Sequence, residues 1–300
     1  MNNKLSLKEV RDIFIEIEEK YRVYSLYSDG VYFWKTIRFE LFEYITKSLG
    51  ILEEGHPSSS KDKFRRFILL VKYSGLNIFK RKNVKKSDLL ILTHGRKQKI
   101  EEEYGDIYLY DIIKSLKTNN KKIFFIDRPN HYGKHYIKNI DEKRNMIYFE
   151  RFGHIVREKL YKLFSWKYKL TETKQILKVI ENEFGQRLNI HVDLLQLVKK
   201  RIFRFKFEKR YFDKLLDKIN PAKIILVVSY GKEELIASAR DRRIEVVEVQ
   251  HGIISSYHMG YHFPFEYPIP YFPDRLILFG DYWKECVRYP INSRQTTNHF

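Results

Sequence analysis

The residues best placed to do chemistry sit where short apolar runs end. Leu89 to Thr93 runs into His94-Gly95, and Lys122 to Asp127 runs into Arg128-Pro129. Ile224 to Val228 runs into Ser229-Tyr230-Gly231, Ile244 to Val249 into Gln250-His251-Gly252, and Arg275 to Phe279 into Gly280. If those runs are parallel strands, the polar residues collect at one sheet edge, where open α/β sheets bind ligands. His251 carries the clearest chemistry. A neutral imidazole titrates near working pH and can take a proton from an attacking hydroxyl. The glycine after it lets the chain turn sharply and lets a ligand approach the backbone. The other reading of His251 is a ring hydrogen-bonded to a loop carbonyl. Ser229-Tyr230-Gly231 precedes a helix start, where exposed N–H groups receive a phosphate or carboxylate, or merely an ordinary cap. Tyr257 and Tyr261, with His258 between them, offer rings for stacking and polar tips for sugar hydroxyls. No Walker loop and no GxGxxG is present. His251, His258, His262 and Glu266 match no metal-binding spacing, so a sugar-binding loop is expected and no metal.

These positions require elements to hold them. Between Asp88 and Phe279 the order strand, helix, strand recurs, which predicts βαβ units and a parallel sheet. Helices are expected over 107–117, 155–183, 191–218, 233–241 and 282–288. Ahead of the sheet, residues 6–23 and 31–48 repeat apolar residues at three- and four-residue steps and read as two amphipathic helices. The expected organisation is a helical segment over 1–53, a polar and basic linker over 54–87, and a Rossmann-like α/β domain over 88–280 with a helical insertion at 155–218. Residues 64–86 (FRRFILLVKYSGLNIFKRKNVKK) mix apolar and basic residues. They read either as a segment lying on anionic lipid headgroups, the basis of an alternative in which the protein is a non-catalytic membrane-surface scaffold, or as a helix packed on the domain with a solvated basic rim. The second is the expected one, because a charged face is ordinary for a surface helix.

Composition bounds the possibilities. Of 300 residues, 43% are hydrophobic and 32% charged, which is a globular composition. The net charge of +19 attracts anions, whether nucleic acid, anionic membrane or phosphorylated substrates. A basic helix at 199–214 motivates a nucleic-acid-binding alternative, but no helix-turn-helix, RRM or zinc-finger signature accompanies it, so no specific nucleic acid is expected. The single cysteine, Cys286, rules out a disulfide framework within the chain and suits a reducing compartment. No apolar run approaches the roughly 20 residues of a membrane span, and the first residues lack a signal-peptide core. The expected location is therefore the cytoplasm, with peripheral contact to its membrane.

Two stretches, IILVVSYGKEELIASARDRRIEVVEVQHGIISSYHMGYHFP and FPDRLILFGDYWKE, carry a family likeness. They resemble cytoplasmic glycosyltransferases of capsule and surface-polysaccharide synthesis, which are similar in turn to Kdo-transferases and CDP-glycerol glycerophosphotransferases. GVYFWKTIRFELFEYI resembles their entry helices. The resemblance implies a GT-B fold in which this chain supplies the N-terminal, acceptor-side domain, with His251 as base and Gln250 and Gly252 shaping its turn. Ser229, Tyr230, Gly231, Tyr257, His258, Tyr261, His94, Asp127 and Arg128 would line the cleft. It also implies a nucleotide-sugar donor as co-substrate, a saccharide or lipid-linked acceptor, and neither bound cofactor nor metal. In that family a second, donor-binding domain follows. Here Gly280-Asp281-Tyr282-Trp283 leads into KECVRYPINSRQTTNHF, so residues 281–300 are expected to begin a truncated or atypical second half. A chain of that kind would be inactive alone or dependent on a second one.

Overall fold

The computed structural model describes residues 5–53, 60–82, 84–100, 103–130, 132–135, 145–149, 160–161, 167–264 and 267–297. Seven strands form one parallel sheet: β3 (Leu89–Leu92), β6 (Ile123–Asp127), β7 (Met146–Tyr148), β8 (Lys223–Leu226), β9 (Glu245–Val249), β10 (Arg275–Leu278) and β11 (Arg294–Thr297). Their spatial order is β11-β10-β9-β8-β3-β6-β7. The first strand, β3, lies centrally; the chain adds β6 and β7 on one side, then returns to add β8 through β11 on the other. This is the doubly wound, Rossmann-like arrangement, with its topological switch point between β3 and β8. The α/β fold expected from the sequence is the one observed.

The strands are apolar on both faces because helices cover both. Leu90, Leu92, Ile224 and Leu226 pack with Phe212, Leu215 and Ile219 of α6 (Leu194–Ile219) and Leu235 and Ile236 of α7 (Glu233–Asp241). Ile91, Phe125, Ile225 and Val227 face α4 (Tyr110–Thr118), with Leu109 at its start. Such two-sided burial is what a parallel sheet demands.

The N-terminal helices α1 (Leu7–Lys20) and α2 (Trp34–Ser48) join α5 (Lys174–Leu188), the start of α6 and the 254–287 region in one apolar cluster. Ser6 opens α1 with a capping box to Glu9. A buried polar hub locks the two helices. Glu18 accepts hydrogen bonds from Trp34 Nε1 and Arg38 Nε, each at 2.7 Å, and from Tyr24 Oη at 3.0 Å. Arg38 also donates to the Met259 carbonyl, which ties the helices to the loop after β9. Lys35 and Arg201 both pair with Glu233, joining α2, α6 and α7. The segment expected at 1–53 thus shares its core with the sheet instead of forming a separate one.

Several expectations need correction. Helix α2 starts at Trp34, not at Val31. Val31–Tyr32 (β2) instead pairs with Tyr27–Ser28 (β1) in a tight antiparallel ribbon turned by Asp29 and Gly30, both at positive φ. A hairpin of β4 (Lys97–Ile100) and β5 (Glu103–Asp106) lies where no strands were expected. The helix expected over 155–183 does not run through: residues 168–170 are non-helical, Leu170 takes a φ of +51°, and α5 begins only at Lys174. Residues 155–159 and 162–166 of that expectation lie outside the described residues. The final helix, α8, is short, Tyr282–Glu285. Arg294–Thr297, expected to begin another region, adds a parallel strand to β10 of this same sheet.

Helix α3 (Ser60–Lys82) lies against the β7 edge. Asn77 clamps it there, donating to the Tyr148 carbonyl at 2.6 Å and accepting from the Tyr148 N–H at 2.8 Å. Among the described residues no helix is long and apolar enough to cross a membrane.

Candidate functional site

The carboxyl edge beside the switch point gathers rings around His251. The imidazole of His94, just past β3, lies 6.1 Å from that of His251, centroid to centroid. Tyr261 is at 6.1 Å, Tyr230 at 6.2 Å, and His258 and Tyr108 at 6.3 Å. Phe39 of α2 stacks on Tyr230 at 4.6 Å, so the entry helix forms one wall. Beside His94 opens a cavity of about 500 Å³, lined by Gly95, Arg96, Lys97, Gln98, Ile107 and Asn130.

The hydrogen bonds fix how His251 is held. Tyr261 Oη donates to the Glu248 carboxylate at 2.5 Å and lies 3.3 Å from His251 Nδ1. With the phenolic proton on the carboxylate, Tyr261 Oη accepts from Nδ1, the tautomer that leaves the lone pair on Nε2. Tyr230 Oη lies 3.4 Å from Nε2 and donates to it in that tautomer. A carboxylate, a phenol and an imidazole in series hold the ring in one orientation, as an orienting group behind a general base should. Glu248 is wholly buried; its Oε1 also takes the Ser229 N–H at 3.0 Å, while Oε2 has no hydrogen-bond partner among the described residues.

Burial and charge set the protonation states. His251 lies below its usual value, through partial burial and the charge of Arg96. His94 is lowered to about 4 by burial and by Arg128, His251, Arg96 and Lys97. His258 is lowered to about 4 by burial, with His251 and Arg38 contributing. All three rings are neutral at pH 7. Tyr230 is pushed up to about 12 by burial and the Glu248 charge. Burial raises Glu248 itself, against the hydrogen bonds from Tyr261 and Ser229.

Other expected site residues take structural posts. Asp127 is wholly buried and saturated: Thr93 Oγ1 donates to it at 2.7 Å, Lys97 Nζ at 2.9 Å, and His135 Nδ1 meets it at 2.8 Å. It braces the ends of β3 and β6, with both carboxylate oxygens engaged inside the fold. Ser229 is wholly buried. Gly231, at φ +73°, gives its N–H to the Glu233 carboxylate at 3.1 Å, so α7 already holds its own anion where a phosphate was one expected reading. Gln250, also wholly buried, braces the turn by donating to the Gly252 carbonyl and accepting from the Phe279 N–H, each at 2.8 Å. Tyr257 stands apart, half-exposed, with the Arg11 guanidinium 4.7 Å over its ring. Arg128 reaches the site through its charge on His94, and its guanidinium lies 5.7 Å from the Phe149 ring.

Sequence reasoning missed Tyr108, Phe39, Lys232 and Glu248. Lys232 is buried beside Phe149, and burial with the Arg128 charge lowers it to about 7. Glu248 had a visible signal: an acid inside an apolar strand, VVEV, needs a partner. Among the described residues no three His, Cys, Asp or Glu groups are placed to hold a metal ion.

Fold and site define a doubly wound α/β protein with a histidine- and tyrosine-lined crevice at its switch point. The chain matches no family model, no curated protein and no solved structure.

Proposed function

We propose that this chain is the acceptor-side half of a nucleotide-sugar-dependent glycosyltransferase of GT-B type, acting in capsule, O-antigen or other surface-polysaccharide synthesis. The observation that carries the reading is His251, a neutral imidazole at the carboxyl edge of the sheet, with Nδ1 backed by Tyr261 and Glu248 and Nε2 beside the Tyr230 hydroxyl, whose place an acceptor hydroxyl would take. In the proposed reaction Nε2 takes the proton of an acceptor hydroxyl as its oxygen bonds to the donor's anomeric carbon and the nucleotide phosphate departs. Tyr230, His258 and His94 supply ring faces and polar tips for the saccharide. The charges of Arg96 and Arg128 favour an anionic or lipid-linked acceptor. A second α/β domain completes the donor site in this reading, and the protein works in the cytoplasm. The basic residues of α6 support a nucleic-acid role less, because Arg201, Arg204 and Lys209 are engaged by Glu233, Glu208 and Asp213.

The test is transfer of labelled sugar from CMP-, CDP-, UDP- and GDP-linked donors to saccharide and lipid-linked acceptors by the chain joined to a donor-binding second domain, comparing that protein with its His251→Ala variant. A loss of about 10²–10⁴-fold in turnover supports the reading. Undiminished transfer removes His251 as the base. No transfer from any donor, together with DNA binding that falls steeply with salt, favours the nucleic-acid alternative.

A further inference from the structure

Helix α3 has two opposite faces, and both are apolar. At about 100° per residue, Leu69, Tyr73 and Asn77 share one side. That side packs inward: Tyr73 lies 4.4 Å from the His135 ring and 4.6 Å from Tyr148, and a Cβ on Gly133 would come within 3.6 Å of Leu69. Phe64, Phe67, Ile68 and Val71, spaced i, i+3, i+4 and i+7, fall within an arc of about 100° on the opposite side. They are 66%, 51%, 51% and 46% exposed. Four large apolar side chains aligned outward on one helix are not the ordinary scatter of surface residues. The rim is basic: Arg65 and Lys72 are exposed beside the stripe. The chain carries Lys80, Arg81, Lys82, Lys85 and Lys86 after them and no acidic residue between Asp62 and Asp88.

We propose that the outward face of α3 docks on an anionic lipid bilayer, with Phe64, Phe67, Ile68 and Val71 entering the headgroup–acyl boundary and Arg65 and Lys72 meeting lipid phosphates. An apolar stripe flanked by cations, on a segment with no acidic residue between Asp62 and Asp88, matches an anionic interface and mismatches a neutral or basic protein surface. The helix lies on the membrane and does not cross it. Its N-terminal half stands beside the loop after β6, at the carboxyl edge that holds His251. Docking there brings the cleft to the bilayer surface, within reach of lipid-linked molecules. The inference rests on α3 alone and stands whether or not the protein transfers sugar.

The experiment is co-sedimentation of the chain with vesicles of phosphatidylcholine alone or mixed with phosphatidylglycerol. The expected result is capture by the mixed vesicles, weakened by added salt, and little capture by the neutral ones. Phe67→Glu with Ile68→Glu should lower the bound fraction by about tenfold or more, and Arg65→Gln with Lys72→Gln should flatten the salt dependence. Because all four residues are exposed, each variant should keep the parent's circular dichroism and melting midpoint. Three results would overturn the proposal. One is no preference for the anionic vesicles. Another is capture unchanged in folded Phe67→Glu/Ile68→Glu. The last is a dimer in solution that this variant splits, which would make a second copy the occupant.

Discussion

Two buried carboxylates stand at the carboxyl edge of the sheet, and they are built in opposite ways. Asp127 ends β6 among Lys97, His135 and Thr93, with both oxygens paired. Burial alone would raise it, but the His135 hydrogen bond and the Lys97 charge outweigh burial and hold it below its ordinary value. Glu248, one residue before the end of β9, has no cation within salt-bridge reach among the described residues, and burial lifts it. The first site is closed and spends its charge on the fold. The second is open and passes its influence through Tyr261 to an imidazole at the cleft. A buried carboxylate at a strand end thus serves the fold where cations pair it, and serves a neighbouring ring where neutral hydrogen-bond donors hold it.

Mutating the closed site should give the largest effect on stability. Asp127→Ala leaves Lys97 buried without its partner and should cost about 3–5 kcal/mol, read by chemical denaturation. Asp127→Asn keeps the shape but not the charge and should cost less. An Asp127→Ala protein with an unchanged midpoint would break the distinction between the two sites.

Tyr261→Phe, at the open site, removes the link between Glu248 and His251. It should cost about 1–3 kcal/mol and shift the His251 titration while leaving the sheet intact. His251→Ala should change stability least, by about 1 kcal/mol or less, while abolishing most of any transfer activity. A large loss of stability in His251→Ala would make the ring a structural part and not a reactive one.

The pH dependence of stability sharpens the contrast. A depressed carboxyl stabilises above its unfolded pKa, so the Asp127 contribution is present at neutral pH and lost as pH falls through its lowered value. A raised carboxyl does the reverse: the Glu248 contribution is present below about 4.5 and is lost as pH rises through its raised value. Glu248→Gln should therefore gain on the parent as pH rises, and Asp127→Asn should fall further behind it. The lowered histidines add a term of the same sign as Asp127. His94 and His258, held at about 4 against an ordinary 6.5, favour the fold above 6.5 and lose that contribution as pH falls toward 4. Melting midpoints of parent, Glu248→Gln and Asp127→Asn across that range check all three signs.

The sheet and its reactive edge were legible because the signals are local. In β8–α7–β9 an apolar run, a turn, an amphipathic helix and a second apolar run follow within 27 residues, from Lys223 to Val249, and each end carries its own polar signature. What was not legible depends on distance in space. Nothing near Asp127 in the chain announces Lys97, 30 residues away, so its closure could not be foreseen. Glu248 meets Tyr261 only after the loop folds back over the strand. The hairpin β4–β5 escaped because KQKI shows no clean alternation of apolar and polar residues. In α3 the sequence shows a mixture of apolar and basic residues, and that mixture cannot say which apolar residues meet the body. The structure turns Tyr73 inward and Phe67 outward.

The most direct measurement of the central claim is a pH titration of the His251 ring nitrogens by NMR in isotope-labelled protein, repeated with a saccharide acceptor present. The account predicts a neutral ring at pH 7, a midpoint below 6.5, the proton on Nδ1, and ring signals that move when acceptor is added. A midpoint at or above 6.5, or a proton resident on Nε2, would leave no base facing the cleft and would contradict it.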